Sequence, residues 1–162
     1  EKAAKEGLAG EQRKFASNTL VLITPKGNPA GVKGLDSSLG GAKLVICAKK
    51  EKVPCGTATH KLAQKFGVTL KPVSEEQKVT DVRGKVEAGE ADAGIVYRTD
   101  AVASGKKVDT IEIPGADQIV NTYPIAPVKA SEHAAEAKEF VDYVMSAEGQ
   151  KSLKKYGFGS VK

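Results

Sequence analysis

Tryptophan is absent from the 162 residues, and aromatic residues make up only 5% of them, so the core has to be aliphatic, built from Val, Leu, Ile and Ala. No apolar run approaches the roughly 20 residues that a helix needs to cross a bilayer, which excludes a helical span. Histidine occurs only at His60 and His133, and cysteine only at Cys47 and Cys55. There is no Cys-x-x-Cys. A zinc site needs about four ligands, and no second pair completes a set with Cys55 and His60, so both histidines read as surface residues. Also missing are a Walker loop, a Ser/His/Asp set and a paired-carboxylate pattern. No basic block carries interleaved aromatics, which argues against nucleic acid as a partner. Neither an N-terminal Met nor a secretory signal is visible, and "EKAAKEGLAGEQRKF" reads as the interior of a helix. The expectation is a fragment or a processed product.

What is present is an ordinary globular composition, with 40% hydrophobic and 28% charged residues and a net charge of +5 from scattered lysines. A mildly basic surface of this kind helps steer a small anion. Along the chain, residues 1–14 read as the end of a helix, and "FASNTLVLITP" (Phe15–Pro25) as a strand rich in β-branched residues. "AKLVICA" (Ala42–Ala48) reads as a buried strand. A loop, "KKEKVPCG", leads to a helix from Thr57 that places Ala58, Leu62, Ala63 and Phe66 on one face and stops at Gly67. "TLKPV" (Thr69–Val73) is a short strand. A second helix starts at Thr80 or Asp81 and is kept short by Gly84 and Gly89. "AGIVYRTD" (Ala93–Asp100) is a buried strand followed by a loop. Val108–Pro114 and Ile119–Val128 are extended. The C-terminal stretch is helical, with Ala137, Phe140, Val141 and Val144 on one face and a break near Gly149. Strands alternate with helices, so the class is α/β with a mostly parallel sheet.

Such sheets bind ligands at the carboxyl ends of their strands, against helix N-termini. Three places follow: Cys55–Thr57, Thr80–Val82, and the strand end at Tyr97 and Arg98. A helix N-terminus offers free amides and the positive end of a dipole, and so binds oxyanions without a charged side chain. At "VPCGT" the donors are the amides of Cys55, Gly56 and Thr57, with Gly56 allowing close approach to the backbone. At "VTDVRG" they are Val82 and Arg83, with Asp81 as a rival cap. The thiol of Cys55 is open to other readings: a nucleophile whose pKa the helix lowers, a metal ligand, or half of a disulfide. Arg83 and Arg98 serve either as anion neutralisers or as surface residues, and Tyr97 either as a hydroxyl donor or as a half-buried packing residue.

The segments "FASNTLVLITPKGNP", "VPCGTAT", "VTDVRGKVEAGEADAGIVYRTDAVAS", "NTYPIA" and "EFVDYVMSAEGQKSLKKYGFG" together resemble the periplasmic molybdate-binding proteins of ABC uptake systems. The resemblance runs from Ala3 to Gly159. It implies a two-lobed type II periplasmic-binding-protein fold, one lobe complete and the other partial. Residues 24–123 would be the complete second lobe. Residues 1–23 would be part of the first lobe with a hinge strand, and residues 124–162 a return hinge strand with the C-terminal helices. That family grips molybdate or tungstate through neutral donors, so that cavity size rejects other oxyanions. Matched residue by residue, the ligand contacts would be the amides of Cys55 and Val82 and the hydroxyl of Tyr97. No metal is ligated directly and no cofactor is required.

Three departures from the family pattern stand out. The N-terminal part, with its export signal and two serine-bearing loops, is not matched. The helix after "DVRG" is about three residues shorter. The loop between Cys47 and Cys55 is longer, and some relatives carry a cysteine pair there, which implies a Cys47–Cys55 disulfide in an exported protein. The resemblance further implies a periplasmic or lipid-anchored location and a membrane permease as partner. A partial lobe would expose apolar surface and a sheet edge, and the expectation is that it is disordered, self-paired or paired with another chain, or completed by another polypeptide. Alternative readings are the effector domain of a transcription regulator of the same fold, a binder of another oxyanion such as sulfate, and a thiol enzyme using Cys55.

Overall fold

The computed structural model describes residues 2–50 and 53–161; Glu1, Glu51, Lys52 and Lys162 lie outside the description. Two compact units are present, one made of Glu1–Asn18 with Asn121–Lys162, the other of Thr19–Val120.

The Thr19–Val120 unit is built on a five-stranded sheet. Its strands are β2 (Leu20–Pro25), β3 (Leu44–Cys47), β4 (Ser74–Glu76), β5 (Ala93–Tyr97) and β6 (Val108–Ile111), in the order β4-β3-β5-β2-β6. β3 runs parallel to β4 and β5, whereas β2 is antiparallel to both β5 and β6, so the sheet is mixed with one reversed strand. β3 and β5 are buried along their whole length, as strands covered on both faces must be, and this explains their uninterrupted apolar sequences. Helices α2 (Pro54–Lys65), α3 (Val79–Glu87) and α4 (Arg98–Ser104) follow β3, β4 and β5. Leu62, Val82 and Val86 are fully enclosed in the core with Leu22, Ile23, Ile46 and Ile95. α3 sits tightly on β5 because Gly94 has no side chain: a Cβ there would lie 2.9 Å from Cγ2 of Val86 and 3.0 Å from Cγ1 of Val82.

The second unit holds α1 (Lys2–Lys5), the antiparallel pair β1 (Arg13–Asn18) and β7 (Asn121–Ile125), and helices α5 (Ala134–Met145) and α6 (Ala147–Lys155). Phe15, Tyr123 and Phe158 pack in series, the first pair tilted and the second edge-to-face, with ring centroids 6.4 and 5.7 Å apart. Among the described residues, Ala16 and Val141 are the only hydrophobic side chains of this unit that are buried. Phe140 and Tyr143 are 61% and 51% exposed beside a groove of about 370 Å³ that Phe15, Ile125, Val144 and Leu153 also line.

Several boundaries differ from the sequence reading, each for a local reason. The first helix ends at Lys5, since Gly7 takes a φ of +73° just beyond it, and residues 13–18 are strand. The extended run Phe15–Pro25 is two strands that join different sheets, with Thr19 between them. Pro72 has no amide to donate, and the strand expected at Thr69–Val73 forms instead at Ser74–Glu76. Gly84 lies inside α3 and does not shorten it, while Gly89 (φ +73°) lies just past its end. Residues 98–104 are helix rather than loop. The C-terminal break falls at Ser146, whose hydroxyl accepts from the amide of Gly149 and so caps α6. Gly149 is within α6, where a Cβ would meet the carbonyl oxygen of Val144 at 2.7 Å, so it marks a close helix–helix joint.

Candidate oxyanion-binding site

Because β3 and β4 are parallel neighbours with Cys47 opposite Glu76, their carboxyl ends lie side by side, and the amide of Ala48 extends the ladder to the Glu76 carbonyl at 2.8 Å. α2 and α3 therefore begin at the same edge of the sheet. Tyr97 ends β5 at that edge, opposite Leu20, the first residue of β2. The topology thus brings the three places singled out in the sequence to one edge of one unit.

α2 begins earlier than the sequence suggested. Pro54 occupies its first position, where a missing N–H costs nothing, and Val53 precedes it without a side-chain cap. This shifts the donor inventory. The amide of Thr57 already donates to the Val53 carbonyl at 3.2 Å, so Thr57 is not available to a ligand. Cys55 and Gly56, in the first turn, are the donors that the helix geometry leaves over. Both are buried. Gly56 is required here for the fold itself. A Cβ on it would lie 2.5 Å from the carbonyl carbon of Ala48 and 3.0 Å from the carbonyl oxygen of Cys47. The close approach that glycine permits is that of the end of β3.

Cys47 and Cys55 form a disulfide with their Cα atoms 5.7 Å apart, both sulfurs buried. The bond ties the end of β3 to the first turn of α2. It also removes the thiol, so Cys55 is neither a nucleophile nor a metal ligand in this state. No group of three or more His, Cys, Asp or Glu suited to a metal ion occurs among the described residues. His60 lies one turn into α2 with Nδ1 2.9 Å from the carbonyl oxygen of Gly56, a partner the sequence did not indicate.

α3 also lacks a side-chain cap at Lys78, and Asp81 does not supply one. Val82 is fully buried; its amide points at the Lys78 carbonyl across 3.4 Å, long for a hydrogen bond, while the Asp81 amide takes the same carbonyl at 3.1 Å. By contrast α6 and the short 3₁₀ turn Ser37–Gly41 are capped by Ser146 and Asp36. β4 is fixed to α3 by Lys85, which is ion-paired to Glu76 and donates to the Ser74 hydroxyl at 3.0 Å. Hydrogen bonds from Lys85 and Ser74 hold the Glu76 carboxyl below the usual range.

Tyr97 is 8% exposed and stands at the N-cap of α4. Arg83 and Arg98 have carboxylate partners within the protein. Arg98 grips Glu112 with both guanidinium nitrogens, Nη1 at 2.7 Å, and Arg83 pairs with Glu87 at 3.2 Å. Burial raises the Asp100 carboxyl above its ordinary range, with the positive charge of Arg83 working against that. Neither arginine is thus free to neutralise an anion at this edge, where the helix starts offer amides and dipoles. Sequence reasoning did not find α4 or the Arg98–Glu112 pair. The only signal was Arg98 itself, fourteen residues from its partner.

Residues 1–159 match the model of the bacterial extracellular solute-binding protein family. The molybdate-binding protein ModA of Mycobacterium tuberculosis is 42% identical over 157 residues, which is 96% of this chain and 59% of that protein. YvgL of Bacillus subtilis, assigned as an ABC transporter substrate-binding lipoprotein, is 34% identical over 152 residues, covering 91% of this chain and 58% of its own length. The chain therefore spans somewhat under two thirds of the curated relatives that it matches. Among solved structures, the substrate-binding domain assigned to a molybdenum ABC transporter of Clostridium difficile superposes with a TM-score of 0.84 at 26% identity, over 99% of this chain and 72% of that one. The fold is that of the type II periplasmic binding proteins. On these grounds the chain belongs to the bacterial extracellular solute-binding protein family.

Proposed function

We propose that the protein binds molybdate or tungstate outside the cytoplasm and delivers it to the membrane permease of an ABC transporter. The observation that carries this reading is the pair of uncapped helix starts, α2 and α3, opening at one sheet edge in a chain 42% identical to a molybdate-binding protein. A desolvated dianion is stabilised by several aligned N–H and O–H dipoles, and donors without full charge leave discrimination to cavity size. In this reading the amide of Cys55 is one donor and the hydroxyl of Tyr97 another. The amide of Val82 is the third; it gives up its long bond to Lys78 when the anion arrives. Chemistry is not required of the site, and no cofactor takes part. The Thr19–Val120 unit is the second lobe with its ends at the hinge, and the other unit belongs to the first lobe. Its open groove beside Phe140 and Tyr143 is the seat of the polypeptide that the longer relatives have in addition; a second copy of this chain is the alternative occupant.

The effector domain of a transcription regulator shares the fold, and membership of the extracellular solute-binding family weighs against it. Titration calorimetry on the complete protein tests the ligand. Molybdate and tungstate should bind with similar affinity, and sulfate far more weakly. Tight sulfate or phosphate binding with no heat from molybdate or tungstate would replace the assignment by another oxyanion.

A further inference from the structure

The Thr19–Val120 unit carries two kinds of cation. Lys26, Lys85 and Lys107 are ion-paired with Asp109, Glu76 and Glu87. Lys49, Lys50 and Lys78 are exposed, and among the described residues no side chain forms an ion pair or hydrogen bond with them. Six further lysines of this unit, Lys33, Lys43, Lys61, Lys65, Lys71 and Lys106, are likewise without an ion pair among the described residues; what distinguishes Lys49, Lys50 and Lys78 is their place in the chain. Lys49 and Lys50 follow the end of β3 and lead into α2, and Lys78 is the N-cap of α3. Since Cys47 lies opposite Glu76, these two departures from the sheet are adjacent. The three lysines therefore sit, in the chain, at the two departures from the sheet that lead into the uncapped helices.

We propose that Lys49, Lys50 and Lys78 form a cationic collar that draws the dianionic oxyanion to the helix N-termini and sets its association rate without touching it once bound. The proposal rests on the oxyanion reading above. Its logic is a division of labour. A full charge inside the site would hold any anion of the right sign and weaken selection by size. The same charge at the rim speeds encounter and leaves the final grip to neutral dipoles, because rim charges act mainly on the on-rate and its salt dependence. Among the described residues, two carboxylates oppose the collar. Asp81 lies in the first turn of α3 and is unpaired among the described residues. Glu75, on β4, lines the same hollow as Lys49, together with His60 and Lys61. Asp81 gives the proposal a second sign to test.

The magnitude follows from Coulomb's law. A dianion about 10 Å from one ammonium group in water gains roughly 3-fold in encounter when the Debye length is about 30 Å, and under about 2-fold when it is about 10 Å. Three lysines together give about 20-fold at 0.01 M salt and about 5-fold at 0.1 M. Stopped-flow fluorescence on the complete protein with sodium molybdate reads this directly. The triple variant Lys49→Gln, Lys50→Gln, Lys78→Gln should bind more slowly by those factors, with a flatter salt dependence and an unchanged off-rate. Asp81→Asn should bind about 2- to 3-fold faster at low salt. An on-rate of the triple variant equal to that of the parent, or a loss confined to the off-rate, overturns the collar while leaving the oxyanion reading in place. A parent that binds neither molybdate nor tungstate in equilibrium calorimetry overturns both.

Discussion

Replacing Gly56 by Ala separates two lines of reasoning that disagree in sign. Helix propensity alone favours the change by about 1 kcal/mol, because alanine loses less backbone freedom in a helix. The packing forbids it. A Cβ at position 56 would sit 2.5 Å from the carbonyl carbon of Ala48, where real Cβ contacts stay above about 3.0 Å, and the carbonyl oxygen of Cys47 is already at 3.0 Å. The obstacle is backbone, so no rotamer relieves it. That backbone is held on both sides, by the Ala48–Glu76 ladder bond and by the Cys47–Cys55 disulfide. Overpacking of this kind costs about 3 kcal/mol, and subtracting the propensity gain leaves about 2 kcal/mol of net destabilisation. For a protein of this size that corresponds to a Tm lower by roughly 4–8 °C, read by calorimetry or circular dichroism. On the proposed reading oxyanion affinity should fall with it, since the amides of Cys55 and position 56 would be displaced. A variant that melts at or above the parent temperature would refute the packing argument and leave propensity as the ruling effect.

The disulfide closes a separation of eight residues, and replacing both cysteines with alanine should lower the unfolding free energy by about 2.5 kcal/mol in urea titrations. An unchanged midpoint would mean that the loop is fixed by packing alone. Iodoacetamide should label neither sulfur in the native, unreduced protein. The Glu76 carboxyl, held low by Lys85 and Ser74, binds its proton less readily in the folded than in the unfolded chain. Its contribution is therefore complete above about pH 4.5 and is lost as pH falls through the lower folded value. Glu76→Gln should flatten the loss of stability between about pH 5 and 3, and an acid limb of unchanged slope would show that other groups govern it.

The strands were legible wherever burial on both faces forced an uninterrupted apolar run, as in Leu44–Cys47 and Ala93–Tyr97. The helix boundaries were less so. Pro54 reads equally well as the end of a loop or as the first position of a helix, and only the carbonyl of Val53 accepting from Thr57 decides it. α4 opens on Arg98, Thr99 and Asp100, polar residues with no apolar period, and its helical form follows from its place after a buried strand. Gly149 looked like a stop and is a contact point, because a missing side chain has the same spelling in either role. At the candidate site, Cys55, Val82 and Tyr97 could be placed on one sheet edge from the alternation of elements. Which amides are spent was not legible, since it depends on one residue of helix phase at Thr57 and Val82.

Gly94 has a consequence for selectivity. With no side chain between them, β5 and the Val82 face of α3 are separated by van der Waals contact and nothing softer. Tyr97 lies three residues along the same strand, on a segment with no exposed residue at which it could yield. In the proposed site, the distance from the Val82 amide to the strand that ends in Tyr97 is then a gauge set by a glycine outside the donor set. A methyl group at position 94 would rescale that gauge, and the preference among oxyanions of different size would move with it.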